Sequence, residues 1–460
     1  YDSFTHISSE ARGLQAITAN GQLMVWGYGD NGELGQGDVT NYFSPVQLGG
    51  RPANVAAPIN FIYRGTTKLP TSWYMASGGQ RQAVAIDTSN NLWSWGLNQY
   101  GQGGLNHPLN NDRSQPMQIA ETKDISFTKI DSGETYSIAV ANDGSLWSWG
   151  VGEFGQLGLT SRIARSSATQ IGSSSWTSVS TGESHALAIS SNGSLYAWGS
   201  NRYGQLGDNT KISKSSPVLI STSSWSDIGT GEFHSIALRN DGRVFVWGRN
   251  DYGQLGLNLQ NEHIGNETAY KSSPVSLGTS SFVFVTAGKE SSFAIRSDKA
   301  LFSWGANQNG VLGQNDLTFR SSPVQIGTSS YNFVSSDGYH AVAVTSDNKL
   351  FSWGRNLEGL VGDNTIINRS SPVQISGTWF TAYAGNNTTH AITTSNAVFG
   401  WGYGGFGGIG DNERIHRSSP VQVATGTSFI AVSSGNGFSQ FIAANNTLYN
   451  TGMVEHGYLA

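Results

Sequence analysis

The stretch Leu195-Tyr196-Ala197-Trp198-Gly199-Ser200-Asn201-Arg202-Tyr203-Gly204-Gln205-Leu206-Gly207 decides the fold, because it returns throughout the chain. Val244 to Gly256 repeats it closely, and every other unit holds a decayed copy. Its anchor is a tryptophan followed by glycine at the end of a short apolar run. That pair occurs eight times, at Trp26, Trp95, Trp149, Trp198, Trp247, Trp304, Trp353 and Trp401. The spacings fall between 48 and 57 residues, apart from a first interval of 69 that carries an insertion. A ninth copy, Leu448-Tyr449-Asn450-Thr451-Gly452, keeps the frame with threonine in place of tryptophan. Self-similarity at this period marks an array of equivalent units.

Around the quoted stretch the unit reads as four short strands. Trp176-Thr177-Ser178-Val179-Ser180 alternates as a half-buried strand does, and His185-Ala186-Leu187-Ala188-Ile189 follows a glycine-bearing turn. Asn192-Gly193 is expected to form a two-residue hairpin turn with positive φ angles. Leu195 to Trp198 is the third strand. Ser216-Pro217-Val218-Leu219-Ile220 is the fourth, its proline placing it at an edge where a missing donor is tolerated. Turn and edge signals recur in register, as Asp143-Gly144 and Asp241-Gly242, and as Ser273-Pro274-Val275 and Ser371-Pro372-Val373. Four antiparallel strands per unit of about 50 residues make a propeller blade. The expected fold is all-β, a propeller of four-stranded antiparallel blades formed by one repeat array. Its units run approximately 3–71, 72–124, 125–174, 175–224, 225–280, 281–329, 330–377, 378–427 and an incomplete 428–460.

Composition fits a packed, turn-rich β protein. Glycine numbers 59, aromatic residues reach 11% with 14 tryptophans, and charged residues are only 12%. A disordered chain combines high charge with few aromatics. No cysteine occurs, which removes disulfides, thiolate metal sites and cysteine nucleophiles. The net charge of -5 lacks the basic face of a nucleic-acid binder, and no apolar run reaches the roughly 20 residues of a membrane helix. The chain begins at Tyr1 without a signal-peptide pattern, so a mature form or a piece of something longer is expected.

The pattern apolar-x-x-Trp-Gly-x-Asn-x-Tyr-Gly-Gln-Leu-Gly, then Ser-Pro-Val, then Gly-x-x-His resembles the regulator of chromosome condensation repeat family over nearly the whole chain. The resemblance implies seven blades closed into a ring. Nine copies are counted here, the last without its Ser-Pro-Val strand. A larger ring, units outside a seven-bladed ring, or a blade shared by first and last units would each accommodate them. The plant ultraviolet-B receptor of this family carries Gly-Trp-Arg-His-Thr motifs, which are absent here.

Catalytic and cofactor motifs are sparse. Three glycine triplets, including Gly150-Gly152-Gly155, match a dinucleotide fingerprint, but none opens a helix whose amides would hold a pyrophosphate. His185, His234, His340 and His390 share one repeat position, where other units hold Gln82, Tyr136, Ser291 and Phe438. Successive blades stand too far apart to share one metal, so a structural imidazole bonded to neighbouring backbone is expected. Acidic turns at Asp208, Asp363 and Asp411 lack the spaced carboxylates of a calcium loop. No cofactor, metal or catalytic residue is assigned.

The function expected is a non-catalytic binding or structural propeller that presents loops to a protein or glycan partner. The setting expected is extracellular or on a virus particle, with assembly into a larger particle; a cytoplasmic or nuclear site is the alternative. Insertions and exposed aromatics nominate Phe61, Tyr63, Arg64, Lys68, Tyr252 and Phe406 as partner contacts. The alternative function, implied by the resemblance, is nucleotide exchange on a small GTPase. The missing basic tail weakens its chromatin-docking half.

Overall fold

A computed structural model gives the arrangement of these units. It describes the strands throughout, and residues 84–423 except 88, 107–112, 120–121, 123, 260–268, 386, 396, 406–408, 410, 412 and 414. In the strands outside 84–423, and at 113–116, only the backbone is described, Ser77 excepted. One sheet forms per repeat: eight of four strands and a ninth of three. They span 7–47, 73–118, 127–170, 176–221, 225–276, 282–325, 331–375, 379–422 and 429–452. All pairing is antiparallel between strands consecutive in sequence, and no α-helix occurs among the described residues.

The first strand of each sheet lies against the first strand of the next, and that of the ninth against that of the first. First strands therefore circle the axis, and the Ser-Pro-Val strands form the periphery. Leu448–Gly452 also runs along Leu23–Gly27 and Tyr42–Gln47, so the two ends of the array meet. The sheet count follows the nine copies rather than the seven blades implied by the resemblance.

The core lies between sheets. Leu187, Ile189, Leu195 and Leu206 of the fourth sheet enclose Trp225, Ile228 and Trp247 of the fifth, and the same arrangement recurs at Trp198 and Trp304. Seven repeat tryptophans, from Trp95 to Trp401, are fully buried. Trp26 stands in the equivalent strand Leu23–Gly27, and its side chain lies outside the described residues. Each of five indoles donates to a carbonyl in the preceding sheet's loop, as Trp198 Nε1 does to Gln156 O (2.8 Å) and Trp247 Nε1 to Gln205 O (2.7 Å).

The hairpin between second and third strands departs from the two-residue expectation. Gly193 N donates to Ser190 O (2.8 Å), and the Ser194 amide donates to Asn192 Oδ1 (3.0 Å). Only Gly193 is left-handed, at φ 82°. This is a three-residue loop closed by a left-handed bulge, whose twist matches the flanking strands. In other sheets the same slot is left-handed at Asn90, Asn348 and Lys299.

Candidate functional site

The two faces of the ring are unlike. One carries the hairpins just described, closed by Gly144, Gly193 and Gly242. The other carries the tight turns between first and second strands, near the axis, and the long loops between third and fourth strands, further out. Nine of the twelve exposed large hydrophobic residues among those described lie in these long loops. Ile163 (67% exposed), Ile212 (65%), Ile367 (62%) and Ile415 (57%) stand two residues before the fourth strand in four different sheets. Burying such side chains would release roughly 1.5–3 kcal/mol each. This loop face is the apolar face.

An aromatic strip crosses it from the fourth to the sixth sheet, centred on Arg249. The guanidinium carbon lies 5.4 Å from the Tyr203 ring, 5.5 Å from Phe233 and 5.7 Å from Tyr252. Arg249 pairs with Asp251 in its own loop and, at 3.3 Å, with Glu290 of the next sheet. Tyr203 extends the strip to Phe233 (5.1 Å) and Tyr270 (5.4 Å), and Tyr252 meets Phe319 edge-on at 5.2 Å. Tyr270 donates its hydroxyl proton to Asp251 (2.7 Å), and burial together with that carboxylate pushes the phenol up to about 12. Further round, Lys289 and Arg355 flank Tyr339 at 5.1 and 5.9 Å. Cations held over ring faces fix the rings in place.

Of the nominated contacts, Tyr252 falls in this strip, half-buried. Phe61, Tyr63, Arg64, Lys68 and Phe406 lie outside the described residues. Tyr203, Phe233, Arg249, Tyr270 and Phe319 were not singled out in the sequence. A signal for part of the strip was present, since Tyr100, Phe154, Tyr203 and Tyr252 all stand five residues after the repeat tryptophan.

The histidine column is structural, with a partner other than the backbone expected for most of it. His185 Nε2 lies 3.1 Å from Ser235 Oγ, His234 Nε2 2.9 Å from Ser292 Oγ and His340 Nε2 2.7 Å from Thr389 Oγ1, each hydroxyl belonging to the next sheet. Those hydroxyls donate their own protons to Gln205 O, Gln254 O and Leu360 O, so each can only accept from the imidazole. Nε2 therefore carries a proton in each of the three. His390 stands outside the column, contrary to the expectation: Thr388 fills the slot, pairing with Gly402 as His340 pairs with Gly354, and His390, two residues further along the strand, meets the Ile409 carbonyl at 3.2 Å. Tyr136, in the same slot, donates to His185 O (2.7 Å). Burial pushes His185 down to about 4 and His234 and His390 to about 3.

The acidic turns are closed by protein groups. Asp208 accepts from Asn201 Nδ2 (2.9 Å) and Thr210 Oγ1 (2.7 Å) and pairs with Lys214 (3.1 Å). Asp363 is bound by Asn356, Thr365 and Arg369, and Asp411 by Arg417. These carboxylates staple the long loops to the outer strands. Among the described residues no three His, Asp or Glu converge as a metal site, and no helix is long and apolar enough to cross a membrane.

Ring of four-stranded sheets and apolar loop face together define a β-propeller with one face suited to docking. The RCC1-like domain model matches residues 14–337, and regulator of chromosome condensation (RCC1) repeat models match 334–359 and 395–442. The chain belongs to this repeat family. Human E3 ubiquitin-protein ligase HERC2 is 29% identical over 160 residues, covering 33% of this chain and 3% of HERC2. The Arabidopsis thaliana ultraviolet-B receptor UVR8 is 29% identical over 165 residues, covering 36% of this chain and 33% of the receptor. The chain thus spans a third or less of these two relatives. The crystal structure of Prp20p from Saccharomyces cerevisiae superposes with a TM-score of 0.59 at 20% identity, covering 79% of this chain and 92% of that one.

Proposed function

We propose that this protein is a non-catalytic binding module whose loop face docks a partner protein. The observation that carries the reading is the concentration of exposed apolar side chains in the loops of that face, beside the Arg249 strip. Tyrosine and arginine held rigid by packing are the residue types that dominate interface energetics. Near the axis Glu134, Glu183 and Glu232 give the face an acidic centre, so a partner with a basic patch is the complementary one. Prp20p, a propeller of the same fold, is described by its binding to Gsp1p and histones. Low charge and the abundance of serine, threonine, asparagine and glycine suit a protease-resistant surface, and on that ground the proposed setting is extracellular or on a virus particle.

The test is amide exchange on the free chain and on its native assembly. Protection should appear in the loops 200–213, 249–259 and 355–368 and spare the hairpins at 191–193 and 240–242. Protection confined to the hairpin face would overturn the reading. Protection of the loops that disappears on glycosidase treatment would assign the face to a glycan instead.

A further inference from the structure

The first strands enclose the axis, and the wall they make is divided by chemistry. On the third to fifth sheets it is polar: Lys129 and Asp131, then Ser178 and Ser180, then Asp227. On the sixth to eighth sheets it is aromatic: Phe284, Phe333 and Tyr383. The rings form one row, with centroids 5.9 Å apart from Phe284 to Phe333 and 5.3 Å apart from Phe333 to Tyr383. Lys129 is exposed and the other side chains are half-buried, so none is sealed from the axis. Val283 and Phe380, both exposed, carry the apolar side towards the hairpin face. On the polar side, Lys129 Nζ is spent on the Thr177 carbonyl of the next sheet (2.7 Å), and Asp131 Oδ2 accepts from the Thr181 amide (2.8 Å). Towards the loop face this side continues into Glu134, Glu183 and Glu232, so it is acidic from the mouth inward.

We propose that this two-sided axial channel receives an extended segment of the docking partner, with cationic side chains along one edge and apolar ones along the other. An extended chain sends successive side chains to opposite sides, so alternating basic and apolar residues set one row against Asp131 and Asp227 and the other against the rings. The carboxylates supply the charge complementarity that selects a basic segment over an acidic one. Room follows from the sheet number. Nine first strands no closer than the about 4.8 Å of paired strands make a ring at least about 14 Å across between backbones, against about 11 Å for seven. Each first strand is also the end strand of its sheet, so its outer N–H and C=O groups have no strand beyond them. Asp131, Lys129 and Ser335 hold a few of these groups. A peptide can take others by strand addition, which favours a peptide over a compact ligand. That the segment belongs to a docked partner rests on the role proposed above; the channel's preference for it is a property of the free chain.

The probe is a capped peptide of alternating lysine and leucine, about eight residues long, which spans the six-residue first strands with a margin at each mouth. Its controls are the alternating glutamate–leucine peptide and one of the same composition with lysines and leucines in separate blocks. Each is titrated into the full chain by fluorescence anisotropy, with amide exchange followed at saturation. The alternating lysine peptide should bind at least about tenfold more tightly than either control and protect amides in Trp176–Thr181 and Tyr331–Ser336. Asp131→Asn together with Asp227→Asn should weaken it about tenfold without unfolding the chain, since asparagine still accepts from the Thr181 and Ile228 amides. Ser178→Lys, which sets a cation on the acidic side, should weaken it as well. No binding at about 1 mM peptide, equal binding of all three peptides, or an affinity unchanged in both variants would overturn the proposal. First strands left unprotected by the peptide refute the channel alone, whereas outer loops left unprotected in the native assembly refute the docking role, so the two can fail separately.

Discussion

Replacing His234 by glutamine tests whether its imidazole is held neutral between the sheets. In the folded chain burial pushes His234 down to about 3, whereas in the unfolded chain the imidazole keeps its ordinary value of 6.5. As pH falls below 6.5 the unfolded chain takes up a proton that the folded chain refuses. Stability is then complete above that pH and falls by about 1.4 kcal/mol per pH unit below it, until the folded group also titrates. At pH 5 the loss is about 2 kcal/mol for this residue, and the same arithmetic for His185 and His390 brings the three to about 6 kcal/mol. Glu183 opposes this trend, since its raised value favours the folded state as pH falls, so the wild-type curve alone does not isolate the histidines. The variant does. Glutamine stands at the equivalent position 82 and can still donate to Ser292 Oγ, so His234→Gln should cost about 1–2 kcal/mol at pH 7.5. At pH 5 the difference between wild type and variant should shrink by about 2 kcal/mol, because only the wild type carries the penalty. Urea melts followed by tryptophan fluorescence at the two pH values measure it. A difference unchanged to within about 0.5 kcal/mol would refute a buried, neutral imidazole at this site.

Two further expectations concern stability. Trp198→Ala should cost about 3–5 kcal/mol, since it opens a cavity between the third and fourth sheets and orphans the Gln156 carbonyl; a urea-melt loss under about 1 kcal/mol would show that the indole does not hold the sheets together. Lys299 occupies the left-handed hairpin slot at φ 72°, a conformation costing a non-glycine residue roughly 1–2 kcal/mol, so Lys299→Gly should raise the melting temperature rather than lower it.

The chain states its periodic features openly and hides the ones that cross the period. The tryptophan, the glycine after it and the Ser-Pro-Val edge recur because every sheet meets its neighbour in the same way, and the strands follow directly from that pattern. The hairpin was legible in position but not in type. Asn-Gly suggests two left-handed residues, yet Asn192 keeps a negative φ and caps the loop through its side chain instead. The docking strip was barely legible, because its members come from different repeats. Arg249 draws on Tyr203 and Phe233 before it and Glu290 after it, and no local pattern marks that convergence. Tyr252 was nominated as an exposed aromatic of its loop, whereas the slot of Arg249 is mixed, holding Leu97, Val151, Ser200 and Ala306 in other units and arginine again at Arg355.

The hydrogen-bonded column explains how the array can vary where it does. The Gln205 carbonyl accepts from both Trp247 and Ser235, and Ser235 in turn accepts from His185, so one carbonyl ties a loop of the fourth sheet to two strands of the fifth. The same three-way contact forms at Gln254 and Leu360. In a repeat array, stability is close to a sum of such nearest-neighbour interfaces. Tyrosine at position 136 reaches across to the His185 carbonyl directly, so that interface keeps a hydrogen bond without an imidazole. Cohesion therefore resides in the strands, in the carbonyls nearest them, and in one loop amide per sheet that reaches the next sheet's outer strand, as Asn209 N does to Ser272 O (2.6 Å) and Asn364 N to Ser418 O (2.6 Å). The loops are anchored further by the Asp–Lys and Asp–Arg staples, and beyond these backbone contacts the side chains of Ile163, Ile212, Ile367 and Ile415 are exposed. A partner can be accommodated by changing those positions without altering any contact that holds one sheet to the next.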